Sequence, residues 1–274
     1  LEEDLQRRDL TINAMAKDEH GSLIDPYDGL SDIKNKVLRH VSNAFKEDPV
    51  RVLRTAKFAA RYHQLGFKVA KSTMRFMESM VDNKEIDELA PDRIWKETEE
   101  VLNSPNAYIY FQVLEKCNAF SKIYPKIAIN YDALILSTQS TNQAEVHFAV
   151  MLFADHDLCD PNYIQKDHQN IIRNLVERLP LPNAFSELAD LIIHYKYYKD
   201  LLHMSAENIL IFLNKTDAFR RNERFRKLLK IFEIIEKNNS QSKKEQGEKS
   251  LLIKQIIESC DAIPIRKVVG EETD

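Results

Sequence analysis

Glycine is scarce in this sequence of 274 residues, and this scarcity limits the possible folds. Five glycines are too few for an ordinary dinucleotide-binding domain with glycine-rich turns. Three scattered cysteines, Cys117, Cys159 and Cys260, lack metal-ligand spacing, so they predict a reducing compartment and no metal site. No apolar run approaches the roughly 20 residues that span a bilayer, and the N-terminus lacks a signal-like apolar segment. We therefore expect a cytoplasmic protein with no membrane partner.

Leu, Ile, Ala, Lys and Glu are abundant, which favours a mainly α-helical protein. The net charge of −4 excludes no partner, because nucleic acids respond to local basic patches. A polar segment at 238–249 is typical of a linker. Hydrophobic periodicity and proline positions predict helices over 49–64, 71–81, 91–103, 106–117, 143–155, 165–179, 183–201, 205–213, 217–237 and 249–259.

The first 41 residues have mixed α/β character. Gly21 marks a turn before a short candidate strand over 22–25, and turn signals at Asp25-Pro26 and Asp28-Gly29 separate it from a second over 37–41. Ser31 is a candidate cap for a short helix between them. A sheet of this size is too small for a complete domain, so we expect a remnant of a larger one.

The segment EDPVRVLRTAKFAARY, residues 47–62, predicts a helix with Asp48 as N-cap and Pro49 at its first position. At about 100° per residue its side chains form a basic face and an opposite face of mostly small apolar residues. A carboxylate beside a cationic stripe predicts a site for a base attached to phosphates. The alternative is an exposed amphipathic helix in which Asp48 serves only as a cap. The basic face holds Arg51, Arg54, Lys57 and Arg61, and the apolar face holds Val52, Leu53, Ala56, Ala59 and Ala60.

Three further clusters combine charged and turn-forming residues. RRDLTINA places Arg8, Asp9 and Asn13 together, and this arginine could contact phosphate in a bidentate manner. The alternative there is ordinary capping and ion pairing at a helix end. DPYDGLSDI, residues 25–33, is explained by its turn residues. PDRIWKETEEVL predicts a helix start braced by an i,i+4 pair between Arg93 and Glu97.

A basic helix is predicted near NERFRKLLKIF. Its cations predict contacts with RNA phosphates, and a solvated surface helix is the alternative. The candidate RNA-binding side chains are Arg220, Arg221, Arg224 and Lys227.

Four segments of the chain resemble motifs of the class II nucleotidyltransferases that add CCA to tRNA 3′ ends, and of bacterial poly(A) polymerases. In order along the chain they are RRDLTINA, DPYDGLSDI, EDPVRVLRTAKFAARY and PDRIWKE. The longer run through LGFKVA is most similar to CCA-adding enzymes of the gammaproteobacterial kind. This resemblance implies CTP and ATP as substrates and tRNA as partner. It implies a base-reading role for Asp48 and Arg51, with Glu47 among the structural residues. Arg8, Arg54 and Lys57 would bind the nucleotide, and Asp9 and Asn13 would shape its pocket.

Lys57 departs from the arginine that related enzymes often have, so it keeps the charge without the bidentate geometry. The resemblance also implies a glycine-rich segment and a D-x-D pair upstream of RRDLTINA, holding two Mg²⁺ ions. The chain starts at Leu1, so we expect that this part of the head is missing and that no catalytic residue lies in the chain. We expect the fragment alone to be inactive. The alternatives are a poly(A) polymerase, an enzyme adding only CC or only A, and a non-catalytic RNA-binding module.

Some members of the family carry an HD phosphohydrolase domain in the second half. The best alignment puts Phe153 and Ala154 at the HD positions, and His156 and Asp157 are out of phase. We expect a degenerate helical domain without metal, with a working HD site as the alternative. The resulting prediction is an elongated, mainly α protein. A head remnant would span 1–42, a nucleotide-selecting neck 43–125, and a degenerate HD-like, tRNA-binding body and tail 126–274.

Overall fold

A computed structural model describes residues 1–153, 164–195 and 205–239, together with 251–252, 255–256 and 258. The chain divides into two compact units. The first comprises Leu1–Ile127 with Glu177–Pro180, and the second Ala128–Val176 with Leu181–Asp274. The predicted mainly α fold with a small α/β part near the N-terminus is confirmed. The division into head remnant, neck and body stays a prediction.

The first unit combines helices with two very short sheets. Its helices are α1 Glu2–Gln6, α2 Gly29–Asn35, α3 Val50–Arg61, α4 Lys71–Asp82, α5 Pro91–Leu102, α6 Ala107–Lys116 and α7 Phe120–Ile123. Strands β1 Ala16–Lys17 and β2 Leu23–Ile24 pair antiparallel. Strands β3 Val37–Leu38 and β4 Lys68–Val69 pair in parallel, with Val37 opposite Lys68.

Helix α2 begins earlier than predicted and is not capped by Ser31. The Asp25 carboxylate accepts from the Gly29 N–H at 2.7 Å and from the Leu30 N–H at 2.9 Å, so it satisfies the first helical donors. Glycine is required at position 29, because a Cβ there would lie 2.3 Å from the carbonyl oxygen of Thr11. This close approach holds α2 against the segment that carries Asp9.

The second unit contains helices and connecting turns, and no strand among its described residues. Its helices are α8 Tyr131–Ser140, α9 Ala144–Leu152, α10 Ile164–Arg178, α11 Asn183–Tyr195, α12 Ala206–Lys215 and α13 Asn222–Asn239, and the last two residues of α10 are assigned to the first unit. Helix α8 was missed by the periodicity, and Asn130 starts it by accepting from the Ala133 N–H at 3.0 Å. Helix α13 starts at 222 instead of 217, because Asp217 has a left-handed backbone with φ +55°. The end predicted for the 183–201 helix and most of the 249–259 helix lie outside the described residues.

The predicted apolar face of α3 is confirmed. Val52, Leu53 and Ala56 are fully buried, and α3 packs against α5 and α6. Among the described residues, no helix has both the length and the apolar character needed to cross a membrane. The small side chains on α3 let the neighbouring helices approach closely, which fixes α5 beside the start of α3.

Replacing Ala56 with leucine tests this close packing. The extra carbons have no space at a fully buried site, so A56L should destabilise the protein by about 1–3 kcal/mol. Urea unfolding followed by circular dichroism measures the change. The matched control is R75L on the exposed face of α4, which should stay within about 0.5 kcal/mol of wild type. Equal effects of the two variants would contradict close packing at Ala56.

Candidate functional site

The N-terminal segment and the start of α3 enclose a cavity of about 500 Å³, here called the Asp48 cavity. It brings together residues that lie more than 40 positions apart in the sequence. Every lining residue except Arg7 was predicted as a site residue. The lining consists of Arg7, Arg8, Asp9, Asn13, Asp48, Arg51 and Arg54.

Asp9 links the N-terminal segment to two successive turns of α3. Its Oδ2 lies 2.8 Å from Arg54 Nε, and its Oδ1 lies 3.4 Å from Arg51 Nε. Burial raises the pKa of Asp9, and the charges of Arg54 and Arg51 offset only part of this effect. The carboxylate therefore has a structural task in addition to lining the cavity.

Arg51 is held by two backbone carbonyls as well as by Asp9. Its Nη1 donates to the carbonyl of Ala44, and its Nη2 donates to the carbonyl of Arg7 at 2.6 Å. Arg7 thus contributes through its backbone, which leaves no signal in the sequence. The guanidinium is nearly buried, so its orientation at the cavity is fixed before any ligand arrives.

Asp48 faces the same cavity and is gripped by Arg93 of α5. The Nη1 and Nη2 groups of Arg93 donate to Oδ1 at 3.0 Å and to Oδ2 at 2.8 Å. Oδ1 also accepts from the Val50 N–H at 3.2 Å, so Asp48 satisfies the first helical donor of α3, although Pro49 and not Asp48 occupies the N-cap position. Burial alone would raise the pKa of Asp48, but these hydrogen bonds hold it below its ordinary value.

The expected ion pair between Arg93 and Glu97 does not form, because Arg93 pairs with Asp48 and Glu97 pairs with Lys57 of α3. Glu97 lies 2.5 Å from Lys57 Nζ, and Glu100 accepts from the same ammonium at 2.6 Å. Burial would lower the pKa of Lys57, but Glu100 and Glu97 raise it above its usual value. Lys57 lies outside the lining of the Asp48 cavity and contributes to another cavity, with Arg61 and Glu100.

Three predicted residues have weaker anchoring in the first unit. Arg8 is half exposed and pairs with Asp4 at 3.0 Å. Asn13 lines the cavity. The side chain of Glu47 is exposed and forms no hydrogen bond or ion pair with another described residue, so no contact supports a bracing role for it.

Comparison with known proteins places this arrangement in a family. Residues 1–39 match the family described as "Poly A polymerase head domain", and residues 66–130 match "Probable RNA and SrmB- binding site of polymerase A". The "Multifunctional CCA protein" of Haemophilus influenzae (strain PittGG) is 33% identical, over 99% of this chain and 73% of that protein. The chain belongs to the class II CCA-adding nucleotidyltransferase family. The protein of the same name from Psychromonas ingrahamii is 39% identical, over 84% of this chain and 63% of its own length.

Solved structures agree on the fold of this CCA-adding family chain. A CCA-adding enzyme described as a complex with ATP superposes with a TM-score of 0.66 at 19% identity, covering 99% of this chain and 64% of that one. A tRNA nucleotidyltransferase described as complexed with a primer tRNA and an incoming ATP analog gives 0.66 at 22%, covering 94% and 73%. At these identities the likeness concerns the fold alone.

In the second unit of this CCA-adding family chain, the predicted RNA-binding cations are already paired with neighbouring groups. Arg221 Nη1 donates to Glu187 at 2.6 Å, and hydrogen bonding from Arg221 lowers the pKa of that glutamate. The other three candidates have partners too, so RNA binding by this helix stays a prediction. Arg220 pairs with Asp217 at 3.1 Å, Arg224 donates to the carbonyl of Thr216 at 2.8 Å, and Lys227 pairs with Glu145 at 2.5 Å.

The prediction of a degenerate HD site partly concerns Ala154, His156 and Asp157, which lie outside the described residues. Phe153 is buried in the core of the second unit. His147 is also buried, and its Nε2 lies 3.1 Å from the carbonyl of Thr141. Among the described residues, no group of three His, Cys, Asp or Glu side chains could hold a metal ion.

Replacing Arg93 with alanine tests its grip on Asp48. Because Arg93 holds the pKa of Asp48 below 3.8, the pair stabilises the fold above that value, and this contribution is lost as pH falls through the folded-state pKa. R93A should therefore raise the pKa of Asp48, and its stability deficit should shrink on acidification. Carboxyl ¹³C NMR titration and urea unfolding at several pH values measure these effects. K96A, on the exposed face of the same helix, should leave the pKa of Asp48 unchanged, and an unchanged pKa in R93A would contradict the proposed grip.

Proposed function

We propose that this chain supplies the nucleotide-selecting and tRNA-binding part of an enzyme that adds C, C and A to tRNA 3′ ends from CTP and ATP. One observation carries the proposal: the Asp48 cavity places a fixed carboxylate and a fixed guanidinium together in a member of the CCA-adding family. The chain covers 73% and 63% of the two relatives described above, so this activity is proposed for the whole protein. The cytoplasmic location predicted from the sequence remains part of the proposal.

The free acceptor capacity of Asp48 suits the bases of CTP and ATP. A carboxylate offers about four lone-pair sites, and Arg93 and the Val50 N–H occupy three of them. The remaining site on Oδ2 can accept from an exocyclic amino group. Cytosine and adenine both carry an amino group beside a ring-nitrogen acceptor, whereas uracil and guanine present a carbonyl at the corresponding position.

Arg51 supplies the matching donor. Contacts to Ala44, Arg7 and Asp9 engage three of its five N–H groups, so two remain for a ring nitrogen of the base. Its orientation is held from three sides, and such preorganisation lowers the ordering cost of binding. Asp48 and Arg51 would together read the edge that cytosine and adenine share.

The phosphates would meet Arg54 and Arg8. Arg54 uses Nε for Asp9, and its two Nη groups make no hydrogen bond or ion pair with another described residue. Arg8 is half exposed and can leave its surface pair with Asp4, which contributes little. Lys57 would act indirectly, by tying α3 to α5. The described residues do not fit a Mg²⁺ site, so we assign the metal no step here.

Nucleotide binding to the chain tests the base-reading role. CTP and ATP should bind more tightly than UTP and GTP by roughly 5- to 150-fold, since a mismatch leaves buried polar groups unsatisfied at a cost of about 1–3 kcal/mol. Isothermal titration calorimetry with the four nucleotides measures this preference. D48A should reduce the preference, because it removes the acceptor of the amino group. E47A removes the neighbouring exposed carboxylate and should retain the preference; equal preference in D48A and wild type would refute the role of Asp48.

An incorporation assay tests the reaction and separates it from the alternatives. The head of the Haemophilus influenzae relative is placed before Leu1, and the fusion is given a tRNA transcript without CCA, with CTP, ATP and Mg²⁺. We expect three added nucleotides on a sequencing gel. A long adenosine tail would instead indicate a poly(A) polymerase, the activity that the two matched family descriptions mention. Failure to add any nucleotide, by a fusion that binds CTP, would count against the proposed reaction.

A further inference from the structure

A second cavity of about 470 Å³ lies between the end of α3, strand β4, helix α4 and helix α6, and is here called the lysine cavity. It shares no lining residue with the Asp48 cavity. Phe67, Val69, Met74 and Ile109 are half-buried and give it an apolar lining. A cavity of this volume lies within the range of about 300–1,000 Å³ typical of small-molecule sites.

Exposed cations surround this apolar lining. Lys68, Lys71 and Lys116 all line the lysine cavity, and no carboxylate does. Within the described part of the chain, none of these three ammonium groups forms a hydrogen bond or an ion pair. Lys57 differs from them, because Glu97 and Glu100 neutralise it. The lysine cavity therefore has uncompensated positive charge beside an apolar surface, which is complementary to an anion that carries an apolar ring.

The cations stand on different walls of the cavity. Lys68 and Lys71 belong to β4 and the start of α4, whereas Lys116 ends α6. Helix α4 has no side-chain cap, so its first N–H groups add to the positive potential beside Lys71. Cations on two walls can contact the two phosphates that flank one nucleotide within an RNA strand. A free mononucleotide presents its phosphates at one end only.

We propose that the lysine cavity binds one unpaired nucleotide of an RNA strand, with its base against Phe67 and Ile109 and its flanking phosphates at Lys71 and Lys116. This inference rests on the proposed function, which makes RNA the partner of the chain. Sequence-tolerant binding of this kind combines backbone charge with packing of the base on an aromatic surface. Beside the three lysines, His63 and Gln112 are the polar side chains in the lining, so the base edge meets few hydrogen-bonding groups.

The experiment measures binding of the full 274-residue chain to a tRNA transcript without CCA, by fluorescence anisotropy at several salt concentrations. K71E and K116E should each weaken binding by roughly fivefold or more and lower the salt slope by about 0.7 for each lost phosphate contact. Q112W, which fills the cavity without a change of charge, should also weaken binding. The matched control, K122E, changes an exposed lysine of the same unit outside the cavity and should have a smaller effect.

CTP affinity of the same variants identifies the ligand. K71E, K116E and Q112W should bind CTP as the wild type does, because the Asp48 cavity is untouched. Loss of CTP affinity with unchanged tRNA affinity would make the cavity a mononucleotide site and overturn the proposal. The proposal is also overturned if K71E and K116E reduce tRNA affinity no more than K122E does. In that case, selective CTP binding by the wild type would still support the proposed function. If the wild-type chain binds neither CTP nor tRNA, both the proposed function and the role of the lysine cavity are refuted.

Discussion

The contact of Asp9 with Arg51 and Arg54 is the interaction on which the Asp48 cavity depends. It joins a segment at the N-terminus to the first turns of α3, and Arg51 extends the link to the carbonyls of Arg7 and Ala44. Burial raises the pKa of Asp9, so the carboxylate is kept in place at a desolvation cost. Removing Asp9 would leave the nearly buried Arg51 guanidinium without its carboxylate, whereas Arg54 is exposed enough to be solvated by water.

Helix α5 supports the Asp48 cavity from outside its lining, again through ion pairs between separate segments. Arg93 of α5 orients Asp48, which lies just before α3, and Glu97 of α5 pairs with Lys57 of α3. The helix itself is anchored by Thr98, whose hydroxyl lies 2.5 Å from the Tyr124 hydroxyl in the buried core. Burial raises the pKa of Tyr124 to about 12, so its hydroxyl stays protonated and available as a donor. Asp48 and Arg51, which we propose to read the base, are therefore held in place by ion pairs and backbone carbonyls within the first unit, as a selective site requires.

Local sequence patterns predicted the parts of this site that depend on local geometry. The contact of Asp48 with the first N–H of α3 and the two faces of α3 follow from residue spacing within one helix. The pairing of Arg93 with Asp48 joins residues 45 positions apart, and the i,i+4 spacing pointed instead to Glu97. The contribution of Arg7 comes from its carbonyl, which every residue possesses. The lysine cavity likewise has no signature in the local sequence, because the packing of four separate elements creates it.

The number of basic residues on a helix does not determine its affinity for nucleic acid. Helix α13 and the residues before it are rich in arginine, but Glu187, Asp217 and Glu145 neutralise the side chains that the sequence singles out. An RNA phosphate would have to displace these carboxylates. The binding free energy would then be only the difference between the arginine–phosphate and the arginine–carboxylate ion pairs. At the lysine cavity a phosphate displaces only water and counterions, and the release of counterions favours binding. Uncompensated charge beside an apolar surface is thus a better guide to an RNA contact than basic composition.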